Sequence, residues 1–350
     1  MTKRMVSRAG ARGLLVLSLV TGCWMPSATR AQTGADPLAS WNEGPAKRAI
    51  VDFVQRVTRE GGPDFVPVEE RIAAFDNDGT LWVEKPLPTE VYFVLARVRE
   101  LAAQDPTLAG RQPFKAALEG DTAYFHQAGA QALLELFALT HAGMTQEEFA
   151  ADAERFLAGG RHPTLDRPFP ATAYQPMLEL LAYLRANGFQ TWISSGGTMD
   201  FIRVFAPYTY GVPPERTIGS ELQRQSRRLD GRLSVYRLPR GEHLNDRDGK
   251  PVGIDRHIGR RPLLVAGNVL SGGDVAMMEY SQGRQGPSLQ LLINHDDGAR
   301  EFAYAEQDGA SLAAARRLGF VVVSVRGDWR QVFPEPDVSS SASEALRRER

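Results

Sequence analysis

Cysteine is almost missing from this chain: among 350 residues, only Cys23 carries a thiol. No disulfide can form within the chain, so its stability has to come from a packed core. An excess of either charge is missing as well, since 41 Lys and Arg stand against 42 Asp and Glu, a net charge of -1. That balance gives no reason to expect nucleic acid or an acidic polymer as a partner. Long apolar runs are also lacking. The stretch GLLVLSLVTG, residues 13–22, is too short to cross a hydrocarbon layer of about 30 Å. No internal repeat is visible. With 43% hydrophobic and 24% charged residues, the composition is that of a globular protein of one or two domains.

What is present at the N-terminus reads as targeting. Lys3, Arg4, Arg8 and Arg12 precede the short apolar run, and Gly22-Cys23 closes it. This resembles a bacterial lipoprotein signal, which implies an exported, periplasmic protein, lipidated and membrane-anchored at Cys23. An ordinary secretory signal cut near SATRAQ is the alternative, with Cys23 discarded. Residues 1–23 are thus assigned to the signal and 24–44 to a small, polar tether. The Ser-rich tail, 336–350, is expected to be disordered.

Between these ends, short buried-strand patterns alternate with helical ones. Strands are expected in RIAAF (71–75), FQTWIS (189–194), PLLVAG (262–267), SLQLLIN (288–294) and FVVVSV (320–325). Leu178, Leu181 and Leu184 share a helical face stopped by Asn187-Gly188, and Val91, Leu95, Val98 and Leu101 share another. The alternation predicts an α/β fold with a Rossmann-like, doubly wound and mostly parallel sheet. Residues 86–170 interrupt it with helices and no strand, including a capping box at Thr145 and Glu148. That interval predicts an all-helical cap over 86–175, inserted into a core made of 45–85 and 176–335. A hairpin is expected within 221–238, turning at Asp230-Gly231.

The stretch AAFDNDGTLW, residues 73–82, sets Asp76 and Asp78 at the end of the first strand. Ligands of open parallel sheets bind beyond the carboxyl ends of strands. One carboxylate there can attack an electrophile or hold a cation, and a second can protonate a leaving oxygen and then activate water. An Asp-Gly turn alone would need neither. TWISSGGTMDFI then ends a strand in Ser195-Gly196-Gly197 before a helix, where a hydroxyl and free N–H groups suit a phosphoryl oxygen. A plain Ser-Gly-Gly turn would read the same way.

These motifs resemble the haloacid dehalogenase superfamily, in the phosphoserine phosphatase-like branch with a helical cap, over roughly residues 70–335. The resemblance implies a Mg²⁺-dependent phosphomonoester hydrolase acting on a small phosphorylated metabolite, phosphoserine-like in kind. It makes Asp76 the nucleophile that forms an aspartyl-phosphate and Asp78 the general acid and base. Asp76 would bind Mg²⁺ through its carboxylate and Asp78 through its carbonyl. Ser195, with Gly196, becomes the phosphate ligand, and Ser194 an in-strand neighbour. Lys250 falls where the family places its lysine, with Arg260 and Arg261 as rivals. The fourth motif departs from the pattern. In GNVLSGGD, residues 267–274, Asn268 stands where an acid is common, and the spacer to Asp274 is long. Asn268 is expected to offer the metal a neutral oxygen, and Asp274 to bind it directly or through water.

Weaker signals remain. Glu84-Lys85 either contacts substrate or is a polar linker, Trp82 is expected to pack, and INHDDG (293–298) reads as a strand-end turn. Two other functions compete: a metal-independent 2-haloacid dehalogenase, for which Asp78 has no use, and a non-catalytic binding lipoprotein. Oligomeric state leaves no mark in the sequence.

Overall fold

The structure, a computed structural model, describes residues 36–270 and 273–335. The expected signal, Cys23 and the C-terminal tail lie outside the described residues.

In chain order the helices and strands are α1 (Pro45–Thr58), β1 (Ile72–Phe75), α2 (Thr89–Gln104), α3 (Phe114–Glu119), α4 (Thr122–His141) and α5 (Gln146–Gly159). Then come α6 (Gln175–Ala186), β2 (Gln190–Thr198), α7 (Met199–Tyr210), β3 (Thr217–Leu229), β4 (Arg232–His243) and α8 (Gly249–Ile258). The chain continues through β5 (Leu264–Asn268), α9 (Gly273–Gln282), β6 (Leu289–Asn294), α10 (Ala310–Leu318), β7 (Val321–Ser324) and the single turn α11 (Val325–Asp328).

The seven strands form one sheet in the order β4-β3-β2-β1-β5-β6-β7. All neighbours are parallel except β3 and β4, which form the expected hairpin. Leu229 pairs with Arg232, leaving a two-residue turn in which Asp230 and Gly231 take φ of 50° and 78°. Both positive values are what the tightest hairpin turn needs. From β1 the chain builds outward on one side to β3 and on the other to β7. The direction of winding therefore reverses between β1 and β5, and a crevice opens at their carboxyl ends.

Side-chain alternation fixes the two faces. Ala73 and Phe75 of β1, Leu264 and Ala266 of β5, and Leu291 and Ile293 of β6 join the larger core, with Phe53 and Val54 of α1, Leu180 and Leu184 of α6 and Phe205 of α7. Ala74, Val265 and Leu292 point the other way, onto Ile254 of α8, Met277 and Met278 of α9 and Ala315 of α10. Period-two burial on both faces is what a covered parallel sheet requires.

Residues 86–175 hold α2 to α5 and no strand of the sheet. A third cluster belongs to them: Val94, Val98, Phe114, Ala117 and Leu136. Phe93 leaves that cluster and meets Phe149, Phe156 and Phe201, tying the helices to α7. The capping box of α5 forms as expected, with Glu148 N–H donating to Thr145 Oγ1 and Thr145 N–H donating to the Glu148 carboxylate.

On α2 the expected face forms, with Leu95 and Leu101 packed beside the buried Val98, and a second buried set, Phe93 and Val94, covers the helix on another side. One expectation needs correction. The expected tether ends early. Leu38 and Trp41 are wholly buried, the Trp41 indole donates to Pro176 O at 2.9 Å, and its ring packs edge-on against Trp329.

Candidate active site

Asp76 follows β1 directly, its N–H donating to Ala266 O of β5 at 2.9 Å. That bond closes the ladder and aims the carboxylate into the crevice. Lys250, in the first turn of α8, donates from Nζ to Asp76 Oδ1 at 2.6 Å and also to Asp274 Oδ1. All three are buried. The rival arginines are occupied elsewhere, Arg260 on Glu69 O and Arg261 on Tyr280.

Asp274 is thereby committed: Oδ1 holds Lys250, and Oδ2 accepts the Asn268 N–H at 2.9 Å. Asn268 turns its Oδ1 to the Leu270 N–H at 2.8 Å. Its Nδ2 instead donates to the Asp78 carbonyl at 2.9 Å and to Asp76 Oδ2 at 3.4 Å. The fourth motif therefore differs from expectation. The ammonium of Lys250 claims Asp274, and Asn268 presents a donor, not an oxygen, to the first motif.

Asp78 is held by two donors, Trp82 Nε1 on Oδ1 at 2.9 Å and Asn77 Nδ2 on Oδ2 at 3.2 Å. Burial pushes its carboxyl up to about 6, against the pull of those two bonds. An acid titrating there can carry a proton in one step and release it in the next. Trp82, expected only to pack, does both, for its ring also stacks on Phe205 at 4.2 Å. Burial raises Asp76 too, with the Asp274 charge adding to the rise and Lys250 opposing it.

Gly79 completes the turn at φ 74°. Its carbonyl accepts from His295 Nε2 at 2.7 Å, while His295 Nδ1 meets Glu301 Oε1 at 2.6 Å and Tyr174 donates to Glu301 Oε2 at 2.7 Å. His295 thus anchors the first-motif loop from β6. Asp296 and Asp297 face away from it, on Ser324 and Arg300.

Ser195 is buried at the cavity wall, and its Oγ accepts the Gly197 N–H at 3.1 Å. Gly196 is exposed beside it. Asn245 fixes this loop from behind, donating to Ser194 Oγ at 3.1 Å and Ser195 O at 2.9 Å. Ser220 Oγ donates to Gly196 O at 2.7 Å. Across the cavity, Glu90 of α2 accepts from Thr198 N–H at 2.8 Å, from Thr198 Oγ1 and from His141 Nε2. Sequence reasoning missed Glu90 and Asn245, and took His295 only as part of a strand-end turn. A carboxylate in a helix's first turn was the only signal for Glu90, and Asn245 left none.

Asp76, Asp78, Glu90, Ser195, Ser220 and Lys250 line one cavity of about 950 Å³, walled by the sheet edge, by α2 and α4, and by the far end of the β3–β4 hairpin. Three carboxylates line it at the sheet edge, Asp76, Asp78 and Glu84, and a fourth, Asp274, is buried behind them on the same Lys250 ammonium. Two hard oxygens, Asp76 Oδ2 and the Asp78 carbonyl, converge on one positively polarised group, the Asn268 amide. Excess buried negative charge and converging oxygens suit a small divalent cation. Among the described residues, no three His, Cys, Asp or Glu side chains close into a metal set on their own.

Comparison with known proteins agrees with this architecture. No curated protein matches the chain in sequence. Among solved structures, a conserved protein of unknown function from Anaerococcus prevotii DSM 20548 is similar at TM-score 0.50 and 16% identity, over 79% of this chain and 90% of that one. A phosphoserine phosphohydrolase-like protein from Francisella tularensis is similar at TM-score 0.40 and 18% identity, over 78% and 99%. A phosphoserine phosphatase with a phospho-aspartyl intermediate analogue gives TM-score 0.33 and 17% identity, over 64% and 86%. At 16% identity the first likeness speaks for the fold alone, and no argument is built on the other two. The sequence pattern of the haloacid dehalogenase-like hydrolases matches residues 73–267, more than half of the chain, from the strand that carries Asp76 to the one that ends at Asn268. The chain belongs to the haloacid dehalogenase-like hydrolases.

Proposed function

We propose that the protein is a Mg²⁺-dependent phosphomonoesterase that works through an aspartyl-phosphate on Asp76. The observation that carries this reading is the Asp76–Lys250–Asp274 contact at the switch point of the sheet, with Asp78 on the same cavity. The Asp76 carboxylate attacks phosphorus in line. A P–O bond to Asp76 forms, the ester P–O bond breaks, and its electron pair leaves on the alcohol oxygen, which takes a proton from Asp78. Asp78 then accepts a proton from water. The water oxygen attacks phosphorus, the bond to Asp76 breaks, and inorganic phosphate leaves. Lys250 and Ser195 hold the transferring oxygens, and the Ser195–Gly197 loop keeps its shape through Asn245 and Ser220. Asp76 and the Asp78 carbonyl would hold the Mg²⁺, which supplies the positive charge that lets an anionic carboxylate meet an anionic ester.

A cavity of about 950 Å³ suits a small phosphorylated metabolite. Phosphoserine-like esters are the first substrates to try, on the family resemblance. The N-terminal sequence places the reaction outside the cytoplasm in this reading, with Cys23 as lipid anchor. Phosphate release from an aryl phosphate and from small phosphomonoesters, with and without Mg²⁺, tests the reading. Turnover that needs Mg²⁺ and vanishes in Asp76→Asn is expected. Chelator-insensitive halide release from a 2-haloacid, with no phosphatase activity, would overturn it.

A further inference from the structure

One buried carboxylate at the site has no part in the chemistry above. Glu84 lies on the chain leaving the first motif, is 7% exposed, and its Oε1 has no hydrogen-bond partner. A bare carboxylate oxygen in that setting is costly to keep, so it calls for a partner of positive charge. Its position says which. A Cβ added at Gly79 would sit 2.7 Å from Glu84 Oε1 and 2.8 Å from Asn268 Nδ2. Glu84 therefore faces, across the bare Cα of Gly79, the same amide that caps Asp76 Oδ2 and the Asp78 carbonyl. Meanwhile the fourth motif has no free acid to give. Asn268 is neutral, and both oxygens of Asp274 are taken by Lys250 and the Asn268 N–H.

We propose that Glu84 supplies the divalent cation of this site with the carboxylate that the fourth motif lacks. The proposal rests on the reading of the site as a metal-dependent one, and it moves the missing charge from the β5 loop to the loop after β1. Gly79 then has a second purpose besides its φ: any side chain there would fill the gap between Glu84 and Asn268.

The test is metal binding without substrate, so that turnover plays no part. Mn²⁺ is titrated calorimetrically into the full protein, into Glu84→Gln, and into Glu135→Gln, which removes a charge from the opposite, helical wall of the cavity. Thermal melts are recorded with and without Mn²⁺. Wild type and Glu135→Gln should bind alike, and Glu84→Gln at least about 10-fold more weakly. Metal-free Glu84→Gln should melt no lower than wild type, because it loses a carboxylate that burial disfavours more than Tyr304 and Lys85 favour it, while its Mn²⁺-induced rise in Tm shrinks. Wild-type affinity in Glu84→Gln overturns the proposal and leaves the phosphatase reading standing. A wild type that binds no Mn²⁺ at all overturns both. Should Glu84→Gln fail to fold, Glu84→Ala in the same titration decides the matter.

Discussion

The two walls of the cavity are built on different principles. The sheet edge is a lattice of short polar contacts between strand ends and helix starts: Asp76 to Lys250, Lys250 to Asp274, Asp274 to Asn268, and Asn268 to Asp78. The helical wall has a small core of its own between α2, α3 and α4, while Phe93 of α2 and Phe149, Ala153 and Leu157 of α5 belong to the larger core of the sheet. Polar joints reinforce that packing, among them Glu90 onto Thr198 and Arg237 onto Asp200 and the start of α5. Phe93 adds an aromatic one onto Phe201 of α7. The difference teaches a division of labour. On the proposed function, charges at the edge are placed for chemistry at some cost in stability, while polar groups on the wall hold the molecule together. Substitutions in the first region should change turnover and spare the fold, and those in the second should do the reverse.

Asp76→Asn should give the largest effect. Loss of the proposed nucleophile is expected to lower phosphate release by roughly 10⁴-fold or more, as removal of catalytic nucleophiles does. The variant should melt at or above the wild-type temperature, since it relieves crowding among buried carboxylates. Unfolding at ordinary temperature would mean that the edge is structural after all.

Arg237→Met attacks the other wall. The buried guanidinium of Arg237 donates to Asp200 Oδ2 at 2.8 Å, to Thr145 O at 2.7 Å and to Gln146 Oε1 at 3.0 Å, and lies over the Phe149 ring. Removing it strands Asp200 with only the more distant Arg224, a loss of about 3–5 kcal/mol in denaturant unfolding. Turnover per folded molecule should persist. The same pair sets a pH limit. Burial alone would raise Asp200, but Arg237 and Arg224 outweigh it and hold the carboxyl below its ordinary value of 3.8. A depressed folded-state value means that the pair's stabilisation is complete above the ordinary carboxylate range and fades as pH falls through the lowered value. Wild type should therefore lose this stabilisation only as pH falls below the ordinary carboxylate range, and in Arg237→Met, where Arg224 alone opposes burial, the acid step should shrink.

How much of this the sequence disclosed depends on the range of the pattern. β1, β2, β5, β6 and β7 were legible because burial writes apolar runs locally, and the hairpin and the α5 capping box because each sits within a few residues. Asp76, Asp78, Ser195 and Lys250 were legible as residue types at strand ends and helix starts, and the structure brings all four to one cavity. Partners far apart were not. Glu90 meets Thr198 across 108 residues, Asn245 meets Ser195 across 50, and His295 meets Gly79 across 216. Nothing in one sequence links such positions. The buried Trp41, set in a small polar stretch, shows the same limit, since one large anchor leaves no periodicity. The commitment of Asp274 to Lys250 also depends on a distant chain segment, and it is what shifts attention to Glu84.

Glu90→Gln sharpens the comparison, because this carboxylate touches both regions. It is buried on α2, accepts from Thr198 and His141, and its charge raises Asp78. A neutral amide keeps the shape but turns one acceptor into a donor, so a stability loss of about 1–3 kcal/mol is expected. A fall in kcat as large as that of Asp76→Asn, with no change in Tm, would move Glu90 from the structural wall to the chemical one.

Thr145→Ala should have the smallest effect and confines itself to one wall. Thr145 Oγ1 accepts a helix N–H that otherwise has no intrahelical partner, so its loss should cost about 1 kcal/mol in denaturant unfolding. The Thr145 carbonyl still receives Arg237, so that joint survives the substitution. Because α5 contributes nothing to the sheet edge, kcat and KM should stay at wild-type values. A change in KM would show that the position of α5 reaches the cavity through Arg237 and the β3–β4 hairpin, and the two walls would then be mechanically coupled rather than merely joined.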